Sequence, residues 1–516
     1  MKPSVELFQL IKSLSKSEKR FFKLTSSLQS GDKNYLKIFD AIDKQKEYDE
    51  DAIKKQFAGE TFIKHFPSEK NHLYKLILKS LRSFHADNSI SSMLKHEIKN
   101  IEILYKKALF KECNKFLHRA KKIAKSHEKF YYWFELISWE KQLLEEAYEA
   151  GEFDKNLDEL IQEEQLVIEK LRNLAEYQML YSKINYLYRS GGFARNESEK
   201  KEVDKITNYP LIKGKNTALS TRAATICYYV KGLCSATNRD YETSFGFFLK
   251  VKEILDNNPL IKKDLAKRYV RTLSNLLYCY IDNNNYEASF DLIQKMRVLH
   301  KEKGFGSTDV QVKIFTASYI AELLIYDRMG EYDKALEIVD AIVEGMDEFG
   351  EKINKEQEIV FYYNLAYVYF GAGQYNKALF WINKVLNDNE QTLRQDIYSF
   401  SRLFNLVIHF ELGNNDLLEY IIKSTYRYLN KHKRDYEVET VLLKHLKKLA
   451  RMTTEEQQME QFLKMREELD ELFKDNNERV VLEYFDFLAW LESKISGIPF
   501  ADAARKRGQT NLVNQQ

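Results

Sequence analysis

The sequence predicts an all-α protein: antiparallel helix pairs stacked one on the next, with a bundle of shorter helices at the N-terminal end. Three observations carry this. The 516 residues include only 5 Pro and 18 Gly, well below the usual shares of roughly 5% and 7%, so the residues that interrupt helices are scarce. Apolar side chains recur at helical spacing along most of the chain. An aromatic residue just after a short turn returns at a nearly constant interval, the sign of one supersecondary unit used many times.

Residues 1–90 stand outside that repeat. In SLSKSEKRFFKLTSSL, Ser15 or Ser17 offers a helix N-cap, with Glu18 three residues after Ser15, ahead of Phe21, Phe22 and Leu24. NYLKIFDAIDKQ places Tyr35, Ile38, Phe39 and Ile42 on one face, and DEDAIKKQF reads as a short helix opened by acidic residues. After Pro67, SEKNHLYKLILKSLRSF puts Leu73, Leu76, Ile77, Leu81 and Phe84 inside and Lys70, Lys75, Lys79 and Arg82 outside. Short helices followed by a basic one is the order of helix-turn-helix modules. It is also the order of a bundle capping a stack of helical repeats, the reading preferred here because a terminal repeat needs a polar cover.

The repeat is clearest in YYNLAYVYFGAGQYNKALFWINKVL, from Tyr362 to Leu386. With Ile359, the residues Tyr362, Leu365, Ala366 and Tyr369 form one helical face. Gly371 and Gly373 are expected to end that helix, since glycine accepts the left-handed conformation of a helix stop. Tyr375 covers the turn, and Ala378, Ile382 and Val385 face inward from a second helix. The small Ala378 lets two helices joined by so short a turn approach closely. Copies surround Tyr332 (with Gly330 and Ala335), Tyr286 (Leu276, Ser289) and Tyr241 (Gly232, Ser244), and looser ones surround Phe110, Phe153 after Gly151, and Phe193 after Gly191. The seven aromatics are separated by 43, 40, 48, 45, 46 and 43 residues. A further copy has Gly413 at its turn and no aromatic behind it. Such a hairpin cannot bury both of its apolar faces alone, so stacking follows.

These residues resemble the tetratricopeptide repeat family, whose pattern of aromatic, Leu-Gly/Ala, aromatic, Gly-x-Tyr, Ala and large apolar residue is matched most closely from Ile359 to Glu390. The period is longer than the family's 34 residues, and Glu390 stands where a closing proline is common. The resemblance implies a right-handed α-solenoid over residues 91–430, its first helices lining a groove that holds an extended peptide or helix of a partner protein. In that register the groove receives Tyr229, Arg271, Tyr278, Arg328, Tyr363 and Tyr367, and Asn275 and Asn364 occupy one shared repeat position where members of the family grip a peptide backbone. A carboxamide suits this, offering donor and acceptor together, and tyrosine gives contact area plus a hydroxyl. The family's Lys/Asn clamp on a terminal carboxylate is not matched.

Residues 190–216 and 301–309 read as insertions, residues 431–497 as capping helices, and residues 498–516 as a flexible tail. Charge is uneven: residues 1–130 hold 28 Lys/Arg against 16 Asp/Glu, while residues 131–180 hold 4 against 13, so the acidic stretch is expected to neutralise part of the basic end. Cys113, Cys227, Cys234 and Cys279 form no CxxC pair and read as reduced and buried. No HExxH, GxxxxGK[ST] or GxSxG occurs, and no two histidines have metal-ligand spacing on a helix. No enzyme, cofactor or metal is expected. No run reaches the length of a signal peptide core or a membrane span, so a cytoplasmic, non-membrane protein is expected. The preferred function is an interaction scaffold with a protein or peptide partner. The alternative is a peptide-responsive transcriptional regulator in which Lys70, Lys75, Lys79 and Arg82 meet nucleic acid.

Overall fold

The computed structural model describes residues 5–27, 34–86, 89–151, 157–191, 197–388, 395–431, 437–475 and 478–513. Among them all regular structure is helical, and no helix is long and apolar enough to cross a membrane. The chain forms two units, Met1–Leu171 and Arg172–Gln516.

The first unit opens with helices Glu6–Ser13, Lys16–Ser27, Asn34–Lys44, Glu50–Gln56 and Phe66–Phe84. Their core gathers Ile11, Phe22, Ile38, Phe39, Ile42, Ile53, Phe66, Leu73 and Ile77. The expected capping box forms: the Glu18 N–H donates to Ser15 Oγ at 3.2 Å, and the Ser15 N–H donates to Glu18 Oε2 at 2.7 Å. Antiparallel helices Ile90–Lys106, Phe110–Ser126 and Phe130–Glu149 follow. The acidic stretch does neutralise its basic neighbour, for Lys121 is bound by both Glu140 and Glu163, and Lys125 pairs with Glu163 at 2.9 Å.

The second unit stacks helix pairs: Thr221–Thr237 with Tyr241–Asp256, Ala266–Asp282 with Tyr286–Val298, Thr308–Met329 with Tyr332–Glu337 and Val339–Phe349, Lys355–Gly371 with Tyr375–Leu386, and Gln395–Glu411 with Asn415–Lys431. Each first helix packs on its own partner and on the neighbouring pair, and the apolar layers run on without a break inside each of two large clusters. This is the all-α stack of helical hairpins that the sequence predicts. The turn follows one rule. Phe110, Tyr241, Tyr286, Tyr332 and Tyr375 are each the first residue of a second helix, and two residues before them Ala108, Arg239, Asn284, Gly330 and Gly373 have φ of 56°, 62°, 55°, 66° and 71°. Gly413 repeats the geometry at 70° without the aromatic.

Gly371 does not end its helix by that route. It is the last helical residue, and a Cβ there would lie 2.3–2.4 Å from atoms of the Tyr332 ring, so its smallness makes room for the aromatic of the preceding repeat. Small Ala335 and Ala378 are fully buried at the helix crossings, as the spacing requires.

Other expectations change. Residues 190–216 are not a long insertion, because helices Glu197–Thr207 and Pro210–Lys213 form there and bury Val203, Ile206 and Ile212. Gly191 is the last residue of one 35-residue helix, Leu157–Gly191. Phe153, Phe193 and Glu390 lie outside the described residues. Residues 437–472 add another antiparallel pair, Glu437–Leu449 and Glu455–Leu472. The largest correction is at the C-terminal end: residues 500–513 form a helix whose Phe500, Ala503 and Ala504 are buried. Burial of an aromatic ring anchors what charge and composition suggested was a tail.

Candidate functional site

Every residue expected to line the groove lies on a first helix of the second unit, and these residues fall into two halves with different surroundings.

In the C-terminal half the expected groove residues are covered by the chain itself. Tyr363 and Tyr367 lie one turn apart on helix Lys355–Gly371 and are buried. The Tyr363 hydroxyl donates to the Tyr484 carbonyl oxygen at 3.0 Å, and the Tyr367 hydroxyl accepts the Asp486 N–H at 3.1 Å. Between those two backbone bonds Phe485 enters an aromatic pocket of Tyr367, Phe370, Phe404 and Phe500. Trp490, on helix Phe487–Ser496, donates to Glu411 Oε1 at 2.7 Å while Lys494 holds the other oxygen at 2.5 Å. Helix Phe500–Val513 then lies on the Gly330 turn, where a Cβ would stand 2.8 Å from both the Ala501 carbonyl and the Arg505 nitrogen. Asn364 is half-buried, and its side chain makes no hydrogen bond among the described residues.

At the centre of this packing sits Asp327. Its Oδ1 accepts the Tyr332 hydroxyl at 2.8 Å. Burial lifts its carboxyl to about 7; nearby Asp486 pushes the same way, against the Tyr332 and Tyr367 hydrogen bonds and the charge of Arg328.

In the N-terminal half Tyr229 is buried as well, against the Tyr181 and Phe248 rings, and burial raises the Tyr241 hydroxyl, with the charges of Asp282 and of Glu483 from the C-terminal segment adding to it. Helix Ala266–Asp282 presents Arg268, Arg271, Asn275 and Tyr278 within three turns, all half-buried. Asn275 Nδ2 donates to the Tyr229 hydroxyl at 3.0 Å, so two of the expected residues act as one group. Arg271 donates to the Tyr181 hydroxyl at 3.1 Å, and Arg268 donates to Thr225 Oγ1 at 3.2 Å. Burial pushes the Tyr229 hydroxyl up to about 12 and draws Arg268 down, the latter with help from the charges of Arg222 and Arg271. Arg328 is already occupied: it binds Asp282 Oδ1 at 2.8 Å and the Ile281 carbonyl at 3.2 Å, which ties its helix to the preceding repeat.

Sequence reasoning missed Tyr181, Thr225 and Arg268, which reach this face from positions that the repeat register does not mark. It also missed the covering segment, although the run YFDFLAW, with its four aromatics in seven residues, is the composition of a buried stretch.

In the first unit, Lys70 is not part of an outer stripe. It pairs with Glu50 at 2.5 Å and lies near the Tyr48 and Phe66 rings. Against the burial that would raise it, hydrogen bonds from Lys54, Lys70 and Tyr48 hold Glu50 at about 2. Lys75, Lys79 and Arg82 are exposed, with no ion pair among the described residues. The four cysteines are buried and none is in a disulfide. Among the described residues no group of three or more His, Cys, Asp or Glu is placed to hold a metal.

Residues 359–389 match the family model described as tetratricopeptide repeat, which is the hairpin of Tyr363 and Tyr367. That hairpin is thus of tetratricopeptide type, one unit of the helical stack. No curated protein matches it. Among solved structures it aligns with that of NprR in complex with its cognate peptide NprX, at 16% identity over 76% of this chain and 98% of that one, with a TM-score of 0.39. A likeness that loose has no bearing on function.

Proposed function

We propose that the second unit captures an extended segment of a partner protein on the first-helix face between residues 221 and 330, and that the protein is a binding scaffold without catalysis. One observation carries the reading: first-helix tyrosines already grip the backbone of a short segment, the chain's own turn between helices Glu478–Glu483 and Phe487–Ser496. At Tyr484–Asp486, two tyrosines one helical turn apart hold a backbone carbonyl and a backbone N–H while an aromatic side chain fills the pocket between them. Backbone contacts of this kind give affinity, and the side-chain pocket gives specificity. In the neighbouring half, Tyr229, Asn275, Arg271 and Tyr278 supply the same kinds of donors and acceptors on the same face. The capturing residues are therefore Arg271, Asn275 and Tyr278, with buried Tyr229 holding Asn275 in place; Tyr363, Tyr367 and Asn364 serve the internal segment's half, and Arg328 joins the two repeats. No observation favours the nucleic-acid reading, because Lys70 is already paired and leaves three exposed cations on that helix.

The test is site-specific photo-crosslinking in the full chain, with a benzophenone side chain at Tyr278 or at Tyr363, exposed to the cytosol of the host. The expected products are a crosslink from position 278 that maps to one short segment of one partner, and a crosslink from position 363 that maps to residues 478–513 of the same molecule. A position-278 product confined to the protein's own chain would overturn the reading.

A further inference from the structure

We infer that the exposed face of helix Leu157–Gly191 is a docking surface for a second copy of this chain, the two helices lying side by side and antiparallel. The inference goes beyond the capture of a partner segment and does not depend on it.

Leu157, Ile161, Ile168, Ala175, Met179 and Tyr186 follow one another at separations of 4, 7, 7, 4 and 7 residues. At 3.6 residues per turn these steps return to the same side of a helix, so the side chains fall within an arc of about 40° along about 43 Å of its length. All of them are exposed. The helix makes its own core contacts elsewhere on its circumference, through Leu160, Val167, Tyr177, Leu180 and Ile184. The stripe is therefore a second apolar face. One so narrow is the seam of a two-helix coiled coil, whereas a helix turns a broader face to a globular core.

Charge identifies the occupant. Residues 157–169 hold five Asp/Glu and no Lys/Arg, and residues 170–191 hold four Lys/Arg and one Asp/Glu. Glu163 and Glu164 are engaged within the chain, by Lys121, Lys125 and Lys141. Asp158, Glu159 and Glu169 remain exposed in the acidic part, as do Lys183 and Arg172 in the basic part, the latter also pairing with Glu176 on its own helix. Two copies laid parallel would set like charges side by side. Laid antiparallel, the acidic part of each lies along the basic part of the other. Centred on the stripe, that arrangement brings Lys183 level with the acidic first turn of the second copy and Leu157 level with its Tyr186. Ile168 meets Ala175 at both central contacts, a large side chain against a small one, which is how facing helices interdigitate. An unrelated partner would require no such complementarity of the helix with itself.

The experiment is sedimentation velocity of the full-length protein over a concentration series, for the native chain, for I168E/M179E and for K183E. The expected result is a native dimer. I168E/M179E should raise its dissociation constant at least about 100-fold, the loss of two buried apolar side chains in each copy, with helix content unchanged because both positions lie on the surface. K183E should weaken the dimer about 3- to 10-fold at low salt, and it serves if the double variant does not fold. Orientation is read from an equal mixture of L157C and Y186C chains treated with a short bifunctional maleimide, the four native cysteines being buried. The expected product joins position 157 of one chain to position 186 of the other. A native protein that stays monomeric up to about 100 μM would overturn the inference and leave the stripe to a segment of a different protein. A dimer as tight in I168E/M179E as in the native chain would overturn it by placing the interface elsewhere, and a product joining 157 to 157 would overturn the antiparallel arrangement.

Discussion

The Tyr363 hydroxyl donates to the carbonyl oxygen of Tyr484, 121 residues further along the chain, at 3.0 Å. A residue expected to await a partner's backbone thus holds the backbone of its own molecule, and the last repeats are completed by a segment that follows them in sequence.

Removing that grip should loosen the segment without unfolding the stack. In the double variant Y363F/Y367F the rings and their packing remain, and two hydrogen bonds to the backbone of residues 484–486 are lost. Each is worth about 0.5–1.5 kcal/mol. Amide hydrogen exchange in residues 478–513 should accelerate about 5- to 150-fold while exchange in residues 221–298 is unchanged; equal protection throughout would show that the hydroxyls contribute nothing.

Phe485→Ala should be more severe. The ring is buried among Tyr367, Phe370, Phe404 and Phe500, and truncating a core phenylalanine typically costs about 3–5 kcal/mol. A fall of that size is expected in the denaturant unfolding of the second unit. A change below about 1 kcal/mol would mean that the segment is peripheral to stability.

The two glycines of the best-matched repeat should separate by mechanism. Gly373→Ala meets open space and strains only a left-handed backbone with φ of 71°, at a cost of about 1–2 kcal/mol. Gly371→Ala pushes a methyl group into the buried Tyr332 ring, which is itself packed between Tyr367 and Phe500 and has little room to retreat. Thermal unfolding should rank Gly371→Ala as the more damaging; the reverse order would restore Gly371 to the role of helix stop.

Asp327 should make the packing of the C-terminal segment dependent on pH near neutrality. Its folded-state carboxyl is lifted from 3.8 to about 7, so between those values the folded protein binds more protons than the unfolded chain. Stability from this group is therefore full below about pH 4 and declines as pH rises through about 7. Tyr332, Tyr367, Asp486 and Arg328 are the groups facing it. The melting temperature should fall from pH 5.5 to pH 8 by more in the native protein than in Asp327→Asn, which cannot ionise. Parallel curves would remove Asp327 from the account.

The sequence by itself determined the hairpins. Five turn aromatics open second helices at the predicted positions, and Ala335 and Ala378 sit at helix crossings, because both features are local: they depend on which residues lie within one or two turns of each other. The pairing of Tyr229 with Asn275 was half legible, since the repeat register put both residues on one face without saying that they touch. Where the turn residue is not glycine the structure was needed, for Arg239 and Asn284 take the left-handed conformation there.

Only the tertiary structure decided which residues of the first helices the chain itself covers. Burial of Tyr363 and Tyr367 depends on Phe485 and Phe500, more than a hundred residues away, and no period links them to the repeat. The same holds for Arg268 and Arg271, which differ from the paired Arg222 and Arg328 not in spacing or residue type but in whether another helix brings a carboxylate within reach. Helical period fixes the direction in which a side chain points; what it meets there is set by contacts between segments distant in sequence, and these exist only once the stack has formed.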